Sequence, residues 1–170
     1  MAKIMGLELK AVKTFLGSDG YGLNANLHLN GKKVAFVLYE GKGGELEVTF
    51  TDKSKEDEIF ATAQRYYEKY PKFFLHDNKW ARLYELFEEL YALYEIEKYF
   101  KKQSKKGYLT VVEVRYNKRT EDFIKNYDPT KRDCMVAFIE WDEKAEKYLI
   151  DKYKPVEFKV YQRLEDFIIE

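Results

Sequence analysis

Between residues 23 and 29 apolar and polar positions alternate strictly: Leu23, Ala25, Leu27 and Leu29 are interleaved with Asn24, Asn26 and His28. A period of two belongs to a strand with one buried face and one wet face. Asn30-Gly31 follows, the pair best suited to the two positive φ angles of a tight hairpin turn. That turn sets Leu27 opposite Val34, Ala25 opposite Phe36 and Leu23 opposite Leu38, which makes one face apolar throughout. Gly41-Lys42-Gly43-Gly44 then separates this strand from Leu46, Val48 and Phe50, with Phe36 facing Val48 and Leu38 facing Leu46. Met5, Leu7, Leu9 and Ala11 add an earlier strand. The expectation is an antiparallel meander of about four strands over residues 4–50, with Leu27, Val34, Phe36, Leu38, Leu46 and Val48 buried together.

After residue 50 the period lengthens. Ile59, Ala63, Tyr66, Tyr67 and Tyr70 follow Ser54, read as an N-cap, and an acidic first turn of Glu56, Asp57 and Glu58; Pro71 ends the helix. A longer helix is predicted over residues 78–103, capped by Asp77, with Trp80, Leu83, Phe87, Leu90 and Tyr94 at three- and four-residue spacing and Gly107 closing it. The final third returns to strands: residues 108–116, then a short helix near 120–126, then 134–141 as a central strand because it is apolar throughout. Residues 142–147 read as a hairpin connection into a strand at 148–153. The tail stays open, since Val156, Phe158 and Val160 alternate while Tyr161, Leu164 and Ile168 suit a helix. The fold class is α+β, as one compact domain over residues 1–170: an N-terminal meander, two central helices, then further strands with a short helix.

Composition narrows the class. The chain of 170 residues is 45% apolar and 35% charged, a balance that supports a real core. Thirty basic residues cancel thirty acidic ones, so no global field would hold the molecule on nucleic acid or on an anionic membrane. Residues 1–10 lack the apolar stretch of a signal peptide, and no run approaches the roughly 20 apolar residues of a membrane span. Cys134, the single cysteine, sits in an apolar run and reads as a core thiol. A cytoplasmic location follows as the expectation. Abundant Tyr and Phe with scarce Pro, and Lys and Glu dominating the charges, fit a low-GC bacterium or its phages.

No catalytic or metal site is legible. Nucleophilic catalysis needs a base beside the nucleophile, and only His28, His76 and Cys134 are on offer, each in a structural setting. Structural zinc needs four ligands of these types; no metal or cofactor is therefore expected. A metal-dependent nuclease is the remote reading: Glu157-Phe158-Lys159 on a strand, completed by Asp128, Asp133 or Asp151. Glu8-Leu9-Lys10 repeats the pattern, as chance allows in so charged a chain. The glycine-rich segments Gly17-Ser18-Asp19-Gly20-Tyr21-Gly22 and Gly41-Lys42-Gly43-Gly44 do not lie between a strand and a helix, as phosphate loops do, and read as turns. Glu85, Glu88, Glu89 and Glu95 read as a solvated helix face.

Binding remains. Basic residues gather between Lys101 and Lys125, and the candidate binding set is Tyr21, Lys42, Lys101, Lys102, Lys105, Lys106, Arg115 and Arg119. The helix dipole equally explains the lysines at a helix C-terminus. Tyr (15) and Phe (12) exceed what the assigned core absorbs, which points to an aromatic surface of the kind found where proteins meet; Tyr91, Tyr94 and Tyr99 equally suit space between helix and sheet.

The segment from Gly20-Tyr21-Gly22-Leu23-Asn24-Ala25-Asn26-Leu27 through Asn30-Gly31-Lys32-Lys33-Val34-Ala35 to Gly41-Lys42-Gly43-Gly44 resembles small proteins carried by phages and plasmids. The resemblance covers residues 4–50. Some of those proteins inhibit host defence systems, CRISPR effectors among them. It implies a non-catalytic inhibitor acting on a host protein or protein–nucleic acid complex, and carries over no site residues. The alternative is a nucleic-acid or nucleotide binder that stacks bases on its aromatics.

Overall fold

A computed structural model of the chain describes residues 1–18, 20–42, 46–71, 78–116 and 132–170. It is α+β, with nine strands in two sheets and three α-helices among the described residues. Its contacts gather into two units, residues 1–94 with 168–170 and residues 95–167.

The first unit holds a six-stranded sheet in the order β5-β4-β3-β2-β1-β9. Its strands are β1 (Lys3–Ile4), β2 (Leu7–Leu16), β3 (Tyr21–Leu29), β4 (Lys32–Tyr39), β5 (Glu47–Phe50) and β9 (Ile168–Ile169). β1 to β5 form the expected antiparallel meander, and β9 adds in parallel to β1. Asn30 and Gly31 take φ of 50° and 82°, the two positive angles the hairpin required.

The register beyond that turn differs from the sequence reading. Leu29 pairs with Lys32 and His28 with Lys33, but the next pairs are Leu27 with Ala35, Asn26 with Phe36 and Ala25 with Val37. One residue of β4, Val34, is left over in a bulge, which turns every later side chain to the other face. Ala35 and Val37 are therefore fully buried, while Phe36 lies beside Asn26 and Thr49 and is 38% exposed. Leu38 faces Glu47, and Val37 takes the place opposite Val48 that Phe36 was expected to fill. Phe36 is thus no core residue. Leu27 and Val34 are buried as expected, while Leu38, Leu46 and Val48 are half-buried. Two further departures fall within the earlier strand: Met5 sits in the tight turn between β1 and β2 at φ 49°, and Ala11 of β2, at φ 51°, lies in an irregularity between Lys10 and Lys13 and is exposed.

Helix α1 (Lys53–Lys69) is capped by Asp52, not Ser54: the Asp52 carboxylate accepts from the Lys55 amide, and the Ser54 hydroxyl donates to the same carboxylate. That hydroxyl, with the Lys55 amide, holds the Asp52 carboxyl below its ordinary pKa. The helix ends at Tyr70, immediately before Pro71. Helix α2 (Lys79–Ser104) begins where the Asn78 side chain accepts from the Trp80 amide; the expected cap, Asp77, lies outside the described residues. Ile59, Ala63, Leu83, Leu86 and Leu90 are buried in this unit's core. Tyr66 and Tyr67 are buried too, both donating to Glu89 (2.6 and 3.2 Å). Glu89 is therefore a half-buried acceptor and not part of a solvated face.

The second unit contains the end of α2, a three-stranded antiparallel sheet, helix α3 (Glu143–Tyr153) and a 3-10 turn (Leu164–Phe167). Gly107, at φ 90°, closes α2 as expected. The sheet order is β7-β6-β8, with β6 Thr110–Arg115, β7 Cys134–Phe138 and β8 Glu157–Tyr161. The strand read as central, β7, is an edge strand; β6 is central, with Thr110, Val111, Val112 and Val114 buried. Residues 142–153, read as a hairpin connection and a strand, are helix: Asp142 caps α3 through the Ala145 amide, and Lys154, at φ 46°, ends it before Pro155. Leu149 packs with Val112 and Val114, ringed by Cys134, Val136, Trp141 and Phe158. The expected helix at 120–126 lies outside the described residues. No described helix is long and apolar enough to cross a membrane.

Candidate functional site

The start of β3, the end of β4 and one face of α2 enclose a groove of about 540 Å³. The strands contribute Tyr21, Gly22, Leu23 and Tyr39, and Leu46 joins them from just before β5. α2 contributes Tyr84, Phe87, Glu88 and Tyr91, which recur at three- and four-residue spacing and so share one face. Leu23 and Tyr39 are cross-strand partners, which puts both side chains on the same face of the sheet.

Two glycine-rich turns shape the sheet end of this groove. The Gly17 amide donates to the Gly20 carbonyl at 2.7 Å and closes the β2–β3 loop. Gly41, at φ 67°, lies so close to this loop that a Cβ would sit 2.7 Å from the Gly22 nitrogen and 2.9 Å from the Gly20 carbonyl oxygen. At Gly22 a Cβ would collide with the Phe15 ring. The glycines thus let two backbones meet and carry Tyr21, 77% exposed, out over the groove. Gly20 and Gly41 take the positive φ that the turn reading required, Gly22 lies within β3, and Gly43 and Gly44 lie outside the described residues.

Underneath, Phe87 is buried, whereas Tyr39, Tyr84 and Tyr91 are half-buried. The Tyr91 and Tyr94 rings stack at 6.4 Å and 19°, and Trp80 and Tyr84 lie 6.0 Å apart. Glu88, exposed, is the one charged side chain among the described lining residues. Volume and lining match a site that holds an organic group by aromatic contact. Of the sequence candidates only Tyr21 lies here. Tyr39, Tyr84, Phe87, Glu88 and Tyr91 were missed, although the 84-87-88-91 spacing was visible; the tyrosines looked equally like packing between helix and sheet.

The basic candidates fall in both units: Lys42 in the first, the described others in the second. Lys42 is exposed and pairs with Glu40 at 3.3 Å. Lys101 pairs with the buried Glu97 at 2.7 Å. Lys102, Lys105 and Lys106 are exposed around the end of α2. Arg115 is committed inside its unit, its Nε donating to Glu113 (2.9 Å) and its Nη1 to Glu157 (3.2 Å). Burial works to lower the pKa of this guanidinium, but the hydrogen bonds and charges of Glu113 and Glu157 outweigh it and raise it. Arg119 lies outside the described residues.

Three residues of the nuclease reading make internal contacts. Glu157 receives Arg115, Lys159 lies 5.1 Å over the Tyr161 ring, and Asp133 accepts the Tyr116 amide at 2.9 Å. Asp151 is exposed on α3, and Asp128 lies outside the described residues. Among the described residues no three His, Cys, Asp or Glu side chains gather as metal ligands. The His28 ring nitrogen Nδ1 is 3.2 Å from the Gly31 carbonyl, across its own hairpin turn. His76 lies outside the described residues. Burial, with Asp133 adding to it, raises the Cys134 thiol pKa, the wrong direction for a nucleophile.

No protein-family model, curated protein or solved structure was found to match this chain.

Proposed function

We propose that this chain is a non-catalytic binding protein that engages a protein partner through the tyrosine-lined groove. The observation that supports the reading is the concentration of aromatic side chains on one concave surface. Tyrosine is among the residue types that most often anchor such contacts, because it offers large area with few rotatable bonds. In the second unit Arg115 is held by Glu113 and Glu157, and Lys101 by Glu97.

The resemblance of residues 4–50 to small proteins of phages and plasmids motivates the identity of the partner: a host defence protein, such as a CRISPR effector, met in the cytoplasm and inhibited by contact. Mixing the purified protein with candidate effectors tests this, reading co-elution and loss of effector activity. Wild-type protein should co-elute and inhibit, whereas a Tyr84→Ala, Tyr91→Ala double variant with an unchanged far-UV spectrum should do neither. Failure of every effector to co-elute, or hydrolysis of a nucleotide or nucleic acid by the protein alone, would overturn the reading.

One observation favours a second reading. Lys102, Lys105 and Lys106 are exposed together at one helix end, as phosphate contacts require. Nucleic-acid binding through them would weaken steeply with added salt.

A further inference from the structure

We infer that Lys159 is a modification site, whose amine takes an acyl group from an activated donor, an acyl thioester. Lys159 stands in β8 directly opposite Glu113 of β6, on the same sheet face as Arg115, Glu157 and Tyr161. The carboxylate it faces is already engaged at both oxygens: Oε1 accepts from the Arg115 Nε at 2.9 Å and Oε2 from the Tyr161 hydroxyl at 3.1 Å. Glu157, the next carboxylate on this face, accepts from the Arg115 Nη1 at 3.2 Å. The Lys159 ammonium lies instead 5.1 Å from the centre of the Tyr161 ring, which is buried and stacked on Phe167 at 4.8 Å. The Lys159 side chain is exposed, so a reagent reaches it.

Burial of the amine against this face lowers its pKa and the Arg115 guanidinium lowers it further, while the charges of Glu113 and Asp166 act the other way without restoring it. Other lysines are held as ammonium. Lys55 donates to Glu58 at 2.7 Å and Lys152 to the Tyr148 hydroxyl at 2.6 Å, and in each that hydrogen bond raises the pKa. Nucleophilic attack needs the lone pair of the neutral amine, and a lysine that is desolvated beside another cation carries more of it at neutral pH. The Lys159 nitrogen attacks the thioester carbonyl carbon; a C–N bond forms as the C–S bond breaks, the sulfur leaves as thiolate and the nitrogen gives its proton to water. A thioester suits this site because thiolate leaves without a general acid, and the carboxylates of this face are bonded to Arg115 and Tyr161. The product is a neutral amide, which removes one positive charge beside Arg115.

The test is brief exposure of the full chain to acetyl-coenzyme A over a series of pH values, with acetylation at each lysine followed by mass spectrometry. At neutral pH Lys159 should be acetylated at least about fivefold faster than Lys105 and Lys106, which are also exposed, and than Lys55 and Lys152. Its rate should level off at a lower pH than theirs. Arg115→Gln removes the neighbouring charge and frees Glu113 for the Lys159 ammonium, so it should slow Lys159 several-fold, with an unchanged far-UV spectrum and an unchanged rate at Lys105. A Lys159 rate no higher than that of Lys105 and Lys106, a pH midpoint equal to theirs, or an Arg115→Gln rate at Lys159 equal to wild type would each overturn the inference. If Arg115→Gln does not fold, the wild-type rates and pH profile decide alone.

Discussion

Single side chains decide which face of the sheet is core. Val37 is fully buried and Phe36 is 38% exposed, although both stand in one apolar run. Val37→Asp places an unpaired carboxylate among Leu7, Leu27 and Leu86 and should cost about 3–5 kcal/mol, enough to unfold a domain of ordinary stability. Phe36→Asp gives up only a partly buried ring, a loss of about 1–2 kcal/mol. Urea unfolding of the two variants distinguishes them; equal losses would mean the bulge at Val34 is absent. A second residue-scale prediction concerns pH. Partial burial of Asp166 works to raise its carboxyl pKa, but the amides of Gln162 (2.7 Å) and Arg163 (2.8 Å) outweigh this and hold it below the ordinary value. A carboxyl depressed in the folded state contributes stability that is present above the unfolded pKa of about 3.9 and is lost as pH falls through the folded value. Asp166→Asn should therefore melt lower than wild type at neutral pH, and the difference should close below about pH 4. A gap that persists in acid would show the carboxylate charge to be irrelevant.

At the scale of elements, the sequence was most readable where one physical signal dominated. Asn30-Gly31 with flanking alternation located the first hairpin, and three- and four-residue spacing located α1 and α2. The β4 register was not readable in the same way. Val34-Ala35-Phe36-Val37-Leu38-Tyr39 is apolar at every position, so its pattern fits either face, and only packing against Leu27 and β5 selects Ala35 and Val37. An all-apolar run also misplaced β7: Cys134–Phe138 is half-buried along its length at a sheet edge, where a neighbouring strand covers one side only. α3 did carry its signature, Asp142 before Glu143 with Tyr148, Leu149 and Tyr153 in helical phase, but Tyr148-Leu149-Ile150 taken alone mimics a strand. Asp142→Ala should remove the cap bond to Ala145 and cost about 1 kcal/mol, near 2–4 °C in melting temperature, with reduced helicity. An unchanged melt would contradict the helix start. The groove was the least legible feature, because no property of Tyr21, Tyr39, Tyr84 or Tyr91 in isolation separates a wall of a cavity from core filling.

Across the whole molecule, net neutrality hides a division of labour. Buried tyrosines hydrogen-bond to carboxylates, Tyr66 and Tyr67 to Glu89 and Tyr161 to Glu113, and so account for part of the aromatic excess as structure. Tyr21, Tyr39, Tyr84 and Tyr91 gather instead around an open groove. A surface that binds through a few large aromatics concentrates its affinity in them, so removing two should be felt far more than removing a distant charge. The most direct measurement is calorimetric titration of an effector that co-elutes with the protein against wild type, the Tyr84→Ala, Tyr91→Ala variant and a Lys105→Ala, Lys106→Ala control. The groove account predicts that the tyrosine variant weakens binding by about thirtyfold or more and that the lysine control stays within about threefold. Equal affinity for wild type and the tyrosine variant, or a loss confined to the lysine control, would contradict it.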